Sequence, residues 1–130
     1  MERIIIEAKV ENIELNDGFK VVYTGDKPSA KVARLMPVLI EAMAESKVNK
    51  MEMKSLFKNI TYTLSCGPGT HKEVVIEEHD GSSMNEAVFI TADLTPNKVE
   101  VEFENYGGID GEPYDDATLA GYVKDIIKKL

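Results

Sequence analysis

Tryptophan is absent from this chain of 130 residues, cysteine occurs once and histidine twice. A lone cysteine, Cys66, cannot form an internal disulfide, so nothing asks for an oxidising compartment. His71 and His79 flank one strand-like segment, and eight strand residues span about 26 Å. With Cys66 they make no closed ligand set, so no metal and no cofactor are expected. Long apolar runs are also missing. Ile4-Ile5-Ile6 is surrounded by Glu2, Glu7, Glu11 and Glu14, too short and too charged for a signal peptide. No segment approaches the length of a membrane span. A cytoplasmic protein is the expectation.

Positive charge is scarce in one region above all. Residues 73–116 hold 13 of the 23 acidic side chains and one basic one, Lys98. Segment 26–58 is the reverse, with seven Lys or Arg against four Asp or Glu. Such a division gives the molecule a preferred side. The net charge of −8 argues against direct nucleic-acid binding and against anionic membranes, since both need basic patches. It suits a protein partner whose own surface is basic. Solubility alone would also account for it.

Hydrophobic periodicity gives the elements. Ile4, Ile6, Ala8 and Val10 alternate with polar residues, and a bulge near Glu11-Asn12 would restore the inward face of Ile13 and Leu15. Asn16-Asp17-Gly18 is a hairpin turn signal, followed by the alternation of Phe19, Val21 and Tyr23. Val32, Leu35, Met36, Leu39, Ile40 and Met43 form one helical stripe. Pro37 lies inside it and should kink or split the helix. Residues 49–58 read as a short second helix or an irregular connection. Four alternating segments follow, around Ile60–Leu64, Glu73–Glu77, Ala87–Asp93 and Lys98–Glu104. Short connections between them suggest an antiparallel meander. Asp115 or Asp116 can cap a last helix striped by Leu119, Tyr122, Val123, Ile126, Ile127 and Leu130.

The expected fold is α+β in a single domain, 1–130. Its order is β-β-α-(α)-β-β-β-β-α, one antiparallel sheet of about six strands with two amphipathic helices on one face. Strand 98–104 closes the meander and is expected at the sheet edge. This order resembles that of helix-grip folds, in which a curved antiparallel sheet wraps a long C-terminal helix around a ligand cavity. The helix here is shorter and the chain smaller, so the likeness concerns fold alone.

Candidate chemistry is thin. Cys66 and His71 flank Gly67-Pro68-Gly69, and a hairpin could join them as a nucleophile–base pair. No orienting group is evident, and a cysteine at a strand end is ordinarily a small packed residue. No catalytic residue is assigned, and an enzyme is not expected. The richer feature is Glu100, Glu102 and Glu104, a row of carboxylates about 7 Å apart on one strand face. A solvated, charge-protected edge is its plain explanation. The loop from Tyr106 to Asp116 adds Asp110, Glu112, Tyr114 and Asp115, three glycines and two tyrosines suited to interface contact. It lacks the spacing of an EF-hand or a phosphate-binding loop.

The sequence therefore points to a small acidic binding or inhibitory protein. It would dock onto a basic surface of a protein partner, such as one that handles nucleic acid. The alternative is a small-molecule-binding or hydrolytic domain with a pocket between helices and sheet, lined by Tyr23, Tyr62 and His71. A homodimer through the outer sheet face is a further expectation. Ile5 needs a second cover there, and Val22 and Val75 would extend its patch if their strands are neighbours.

Overall fold

The computed structural model describes residues 4–7, 20–26, 28–47, 49–95 and 98–130. Seven strands and two helices follow in the order β1 (Ile4–Glu7), β2 (Lys20–Gly25), α1 (Ala30–Glu45), β3 (Lys50–Lys54), β4 (Ile60–Cys66), β5 (His71–Asp80), β6 (Ser83–Leu94), β7 (Lys98–Asn105) and α2 (Asp116–Lys129). The sheet order is β1-β2-β7-β6-β5-β4-β3. The α+β class and the helices over both apolar stripes match the sequence expectation. The Asn16-Asp17-Gly18 turn and the bulge near Glu11 lie outside the described residues.

Three expectations need correction. The sheet is mixed, because β2 and β7 run parallel, with Val21 opposite Val99 and Tyr23 opposite Val101. α1 leaves β2 and delivers the chain to β3 at the far edge. Five strands then meander back and dock β7 against β2. Consequently β7 lies inside the sheet, and the edges are β1 and β3. Second, residues 50–54 form a strand where a helix or irregular connection was expected. Met53 is buried, Glu52 is exposed, and the segment pairs antiparallel with β4. Lys-Met-Glu-Met-Lys is an alternation of period two, masked by residues that also favour helices. Third, of the two outcomes expected at Pro37, a kink or a split, the split does not occur: α1 runs unbroken over Ala30–Glu45.

One face of the sheet carries the core. Val32, Met36, Leu39, Ile40 and Met43 of α1 cluster with Leu119, Val123 and Ile126 of α2 over Val21, Tyr62, Leu64, Val74, Ile76, Ile90, Val101 and Phe103. Ser29 caps α1, its Oγ accepting from the Val32 amide at 3.3 Å. Asp115 caps α2, accepting from the Thr118 amide at 2.8 Å. That bond holds the Asp115 carboxyl below the usual carboxylate range, as expected where amides favour the charged form.

Among the described residues, one buried acidic side chain ties α2 to the sheet. Asp125 is 3% exposed. Its Oδ2 accepts from the Tyr62 hydroxyl and from the Leu56 amide, each at 2.9 Å. Its Oδ1 lies 3.3 Å from Lys129 Nζ, close enough for ion pairing but outside hydrogen-bond geometry. Burial, reinforced by this carboxylate, raises the Tyr62 hydroxyl well above the ordinary tyrosine value. Asp125→Ala strands the buried Tyr62 hydroxyl and frees the part-buried Leu56 amide, which costs about 1–3 kcal/mol at the usual penalty for an unmet buried group. Urea unfolding should show that loss, whereas Asp125→Asn, which keeps an acceptor, should lose less.

Candidate functional site

Strand alternation puts the acids on the face without helices. On β7, Val99, Val101 and Phe103 enter the core while Glu100, Glu102 and Glu104 point the other way. The registers extend this into rows. Glu100 lies between Val22 and Asp93, Glu102 between Thr24 and Thr91, and Glu104 beside Phe89. Phe89 is opposite Val75, and Thr91 is opposite Glu73. Past the bulge after Ile76, Glu77 faces Glu86. Two rungs, Asp93–Glu100 and Glu77–Glu86, therefore oppose acid to acid, an arrangement that destabilises a sheet.

The three ladder carboxylates differ. Glu100 pairs with Lys98 Nζ at 2.6 Å. Glu104 accepts from the Tyr106 hydroxyl at 2.8 Å. Glu102 is exposed and makes no such contact among the described residues. Tyr106, 54% exposed, lies edge-on to Phe89 with centroids 6.0 Å apart. The centre of the face is thus aromatic and aliphatic, ringed by carboxylates. Val22 and Val75 are only 6% and 8% exposed. They sit on β2 and β5, with β7 and β6 between them, so they do not make one patch. The side chain of Ile5 lies outside the described residues.

The loop after β7 divides the remaining candidates. It is pinned along its length. The amides of Tyr106 and Gly107 donate to the Ala87 carbonyl. Asn85 Nδ2 donates to the carbonyls of Gly107 and Gly108 at 2.9 and 3.1 Å. Glu78 Oε2 accepts from the Ile109 amide at 3.1 Å and the Tyr114 hydroxyl at 2.7 Å. Gly107 has a φ of 80°, and a Cβ there would lie 1.6 Å from the Glu112 carbonyl oxygen. Only glycine fits that conformation and that approach. Asp110 Oδ1 accepts from the Glu112 amide at 3.1 Å, and both residues are exposed.

The chain thereby passes from the open face to the helix side. Tyr106 stays with the ladder. Tyr114 packs edge-on to Tyr122, centroids 5.1 Å apart, against the core. Tyr106 and Tyr114 do not share a surface, and Asp115 is occupied as a helix cap. Sequence reading passed over Glu78 and Asn85. Each stands at the inward parity of its strand end, where a polar residue signals a bond to a neighbouring loop.

The histidines have partners. His71 Nδ1 lies 2.9 Å from Asp93 Oδ1 across the β5–β6 pair, while Cys66 lies opposite Lys72. His79 Nε2 is 2.9 Å from Thr61 Oγ1. Among the described residues, no three of His, Cys, Asp and Glu converge to hold a metal ion. No described helix is long and apolar enough to cross a membrane.

On the helix side a hollow of about 340 Å³ opens where both helices begin. Val32, Phe103, Leu119 and the Tyr114 ring form its apolar wall, with Asp26, Ser29, Asn105 and Asp116 among the polar groups. Ser29 Oγ donates to Asp116 Oδ1, joining the two helix starts. Tyr23, Tyr62 and His71 do not line it. No protein-family model, curated protein or solved structure matches the chain.

All five tyrosines titrate above the ordinary value. Burial is the first cause for Tyr23, Tyr62, Tyr114 and Tyr122, and the Glu104 bond is first for Tyr106. A folded-state pKa above the unfolded one contributes stability that is complete below about pH 10 and is lost as pH rises beyond it. In an alkaline titration, tyrosinate absorbance from the three buried rings and half-buried Tyr114 should appear together with loss of circular dichroism. Exposed Tyr106 should ionise earlier, and Tyr106→Phe should remove that early fraction alone.

Proposed function

We propose that this protein is a small acidic binding or inhibitory protein that docks its open sheet face onto a basic surface of a protein partner in the cytoplasm. One observation carries the reading. Two cross-strand rungs, Asp93–Glu100 and Glu77–Glu86, set acid against acid around Phe89 and Tyr106. Like charges set directly opposite each other weaken a sheet. A local rule broken at a cost to stability is what a functional surface looks like. An aromatic centre with a charged rim is also the anatomy of an interface. The carboxylates would speed encounter and select basic partners, among them proteins that handle nucleic acid. Tyr106 would be the anchor, and Glu102, exposed and without a partner among the described residues, the first contact.

The test is a triple variant, Glu100→Lys, Glu102→Lys and Glu104→Lys, used as bait against host extract beside the native protein. The native bait should retain a partner that raised salt releases, and the variant should not retain it. The Tm of the variant should be unchanged or higher, because the Asp93 repulsion is relieved. Equal retention by both baits, with equal sensitivity to salt, would refute the acidic-face reading. Light scattering on the native protein separately tests the homodimer, for which a monomer at high concentration is the contrary result.

A second reading, a small-molecule-binding domain, draws on the hollow between the helix starts. Its volume lies at the lower end of the range for ligand sites. Apolar walls with Asp26 and Asp116 at hand suit a compact apolar body carrying a basic group. A panel of small amines should then raise the Tm by mass action, and Asp26→Asn should blunt the response. No shift across the panel would leave the sheet face as the working surface.

A further inference from the structure

A second depression lies beside the turn between β3 and β4. The turn from β3 to β4 and the neighbouring part of β5 enclose about 410 Å³, lined by Lys54, Leu56, Lys58, Asn59, Thr61 and His79, among others. The protein is acidic as a whole, yet both charged side chains lining this hollow are lysines. Neither Lys54 nor Lys58 makes an ion pair among the described residues. Thr61 Oγ1 and His79 Nε2 hold each other at 2.9 Å, which fixes the imidazole at the wall. Asn59 adopts a φ of 65°, and its carbonyl accepts from the His79 amide at 2.8 Å. The loop and the β5 end are therefore built as one unit. The nearest acid by register is Glu77, opposite Thr61. Its Oε1 accepts from Thr63 at 3.4 Å, further along the strand. Leu56 is 74% exposed at the rim.

We propose that this hollow binds a phosphate monoester of a small molecule. Lys54 and Lys58 neutralise the dianion, the Thr61–His79 pair and the Asn59 amide supply directed hydrogen bonds, and Leu56 covers an apolar body beyond the phosphate. Two ammonium groups suit a doubly charged group better than a carboxylate. The hollow adjoins the acidic face at Glu77, which lies opposite Thr61, but Lys54 and Lys58 are no part of the carboxylate ladder on β7.

The experiment is amide NMR of the full chain titrated with inorganic phosphate and with phenyl phosphate, against sodium chloride at equal ionic strength. Saturable shifts should centre on residues 54–61 and His79, with phenyl phosphate the tighter ligand. Lys54→Gln with Lys58→Gln should weaken both by about tenfold or more, the scale of lost charge-assisted bonds. Both lysines are exposed, and an unchanged spectrum elsewhere would show that the fold persists. Shifts no larger than with chloride, shifts centred elsewhere, or shifts unaffected by the double variant would overturn the proposal. Phosphate binding without a gain for phenyl phosphate would overturn the role of Leu56 and the organic ligand.

Discussion

The parallel pairing of β2 with β7 is the constraint on which the rest of the molecule depends. It turns an edge strand into an interior one. It commits α1 to carry the chain from one side of the sheet to the other. It also places the carboxylates of β7 between two neighbours, so that their spacing is set by two backbone ladders. An acidic edge strand has a ready explanation as protection against pairing. An interior strand needs no such protection, and the acids of β7 call for another account.

Helix capping and loop bonding converge on the same end of the sheet. Ser29 and Asp116 join the starts of α1 and α2, while Glu78, Asn85 and Asn105 hold the loop between β7 and α2. The first is a bond between side chains, and those to the loop are side-chain bonds to its backbone groups. The result is a firm connection that separates the open face from the helix side. Each face can then present its own chemistry.

Much of this was legible in the sequence and some was not, for definite reasons. The stripes of α1 and α2 and the alternation of β4 to β7 are local patterns, and local patterns survive into the fold. The side of β7 that carries acid was likewise fixed by the alternation of Val99, Val101 and Phe103. The neighbour of β7 was not readable, because periodicity says which face a residue takes and nothing about which strand lies alongside. β3 was obscured by methionine and lysine, whose helix propensity competes with their alternation. Tyr106 and Tyr114 looked like a pair along the chain. Their separation depends on Glu78 and Asn85, which reach the loop from distant strands. The Asp93 partner of His71 and the Thr61 partner of His79 are cross-strand contacts of the same kind.

The β2–β7 ladder also orders events in time. Lys20 pairs with Lys98, and Gly25 with Phe103, so the ladder joins chain segments made early and late. A chain emerging during synthesis can form α1 and the hairpins of the meander from local contacts. Its second strand must wait, one side unpaired, until the last strand has been made. Contacts of such long sequence separation form slowly. Any interruption of synthesis before the final strand leaves Val21 and Tyr23 without their ladder partners Val99 and Val101.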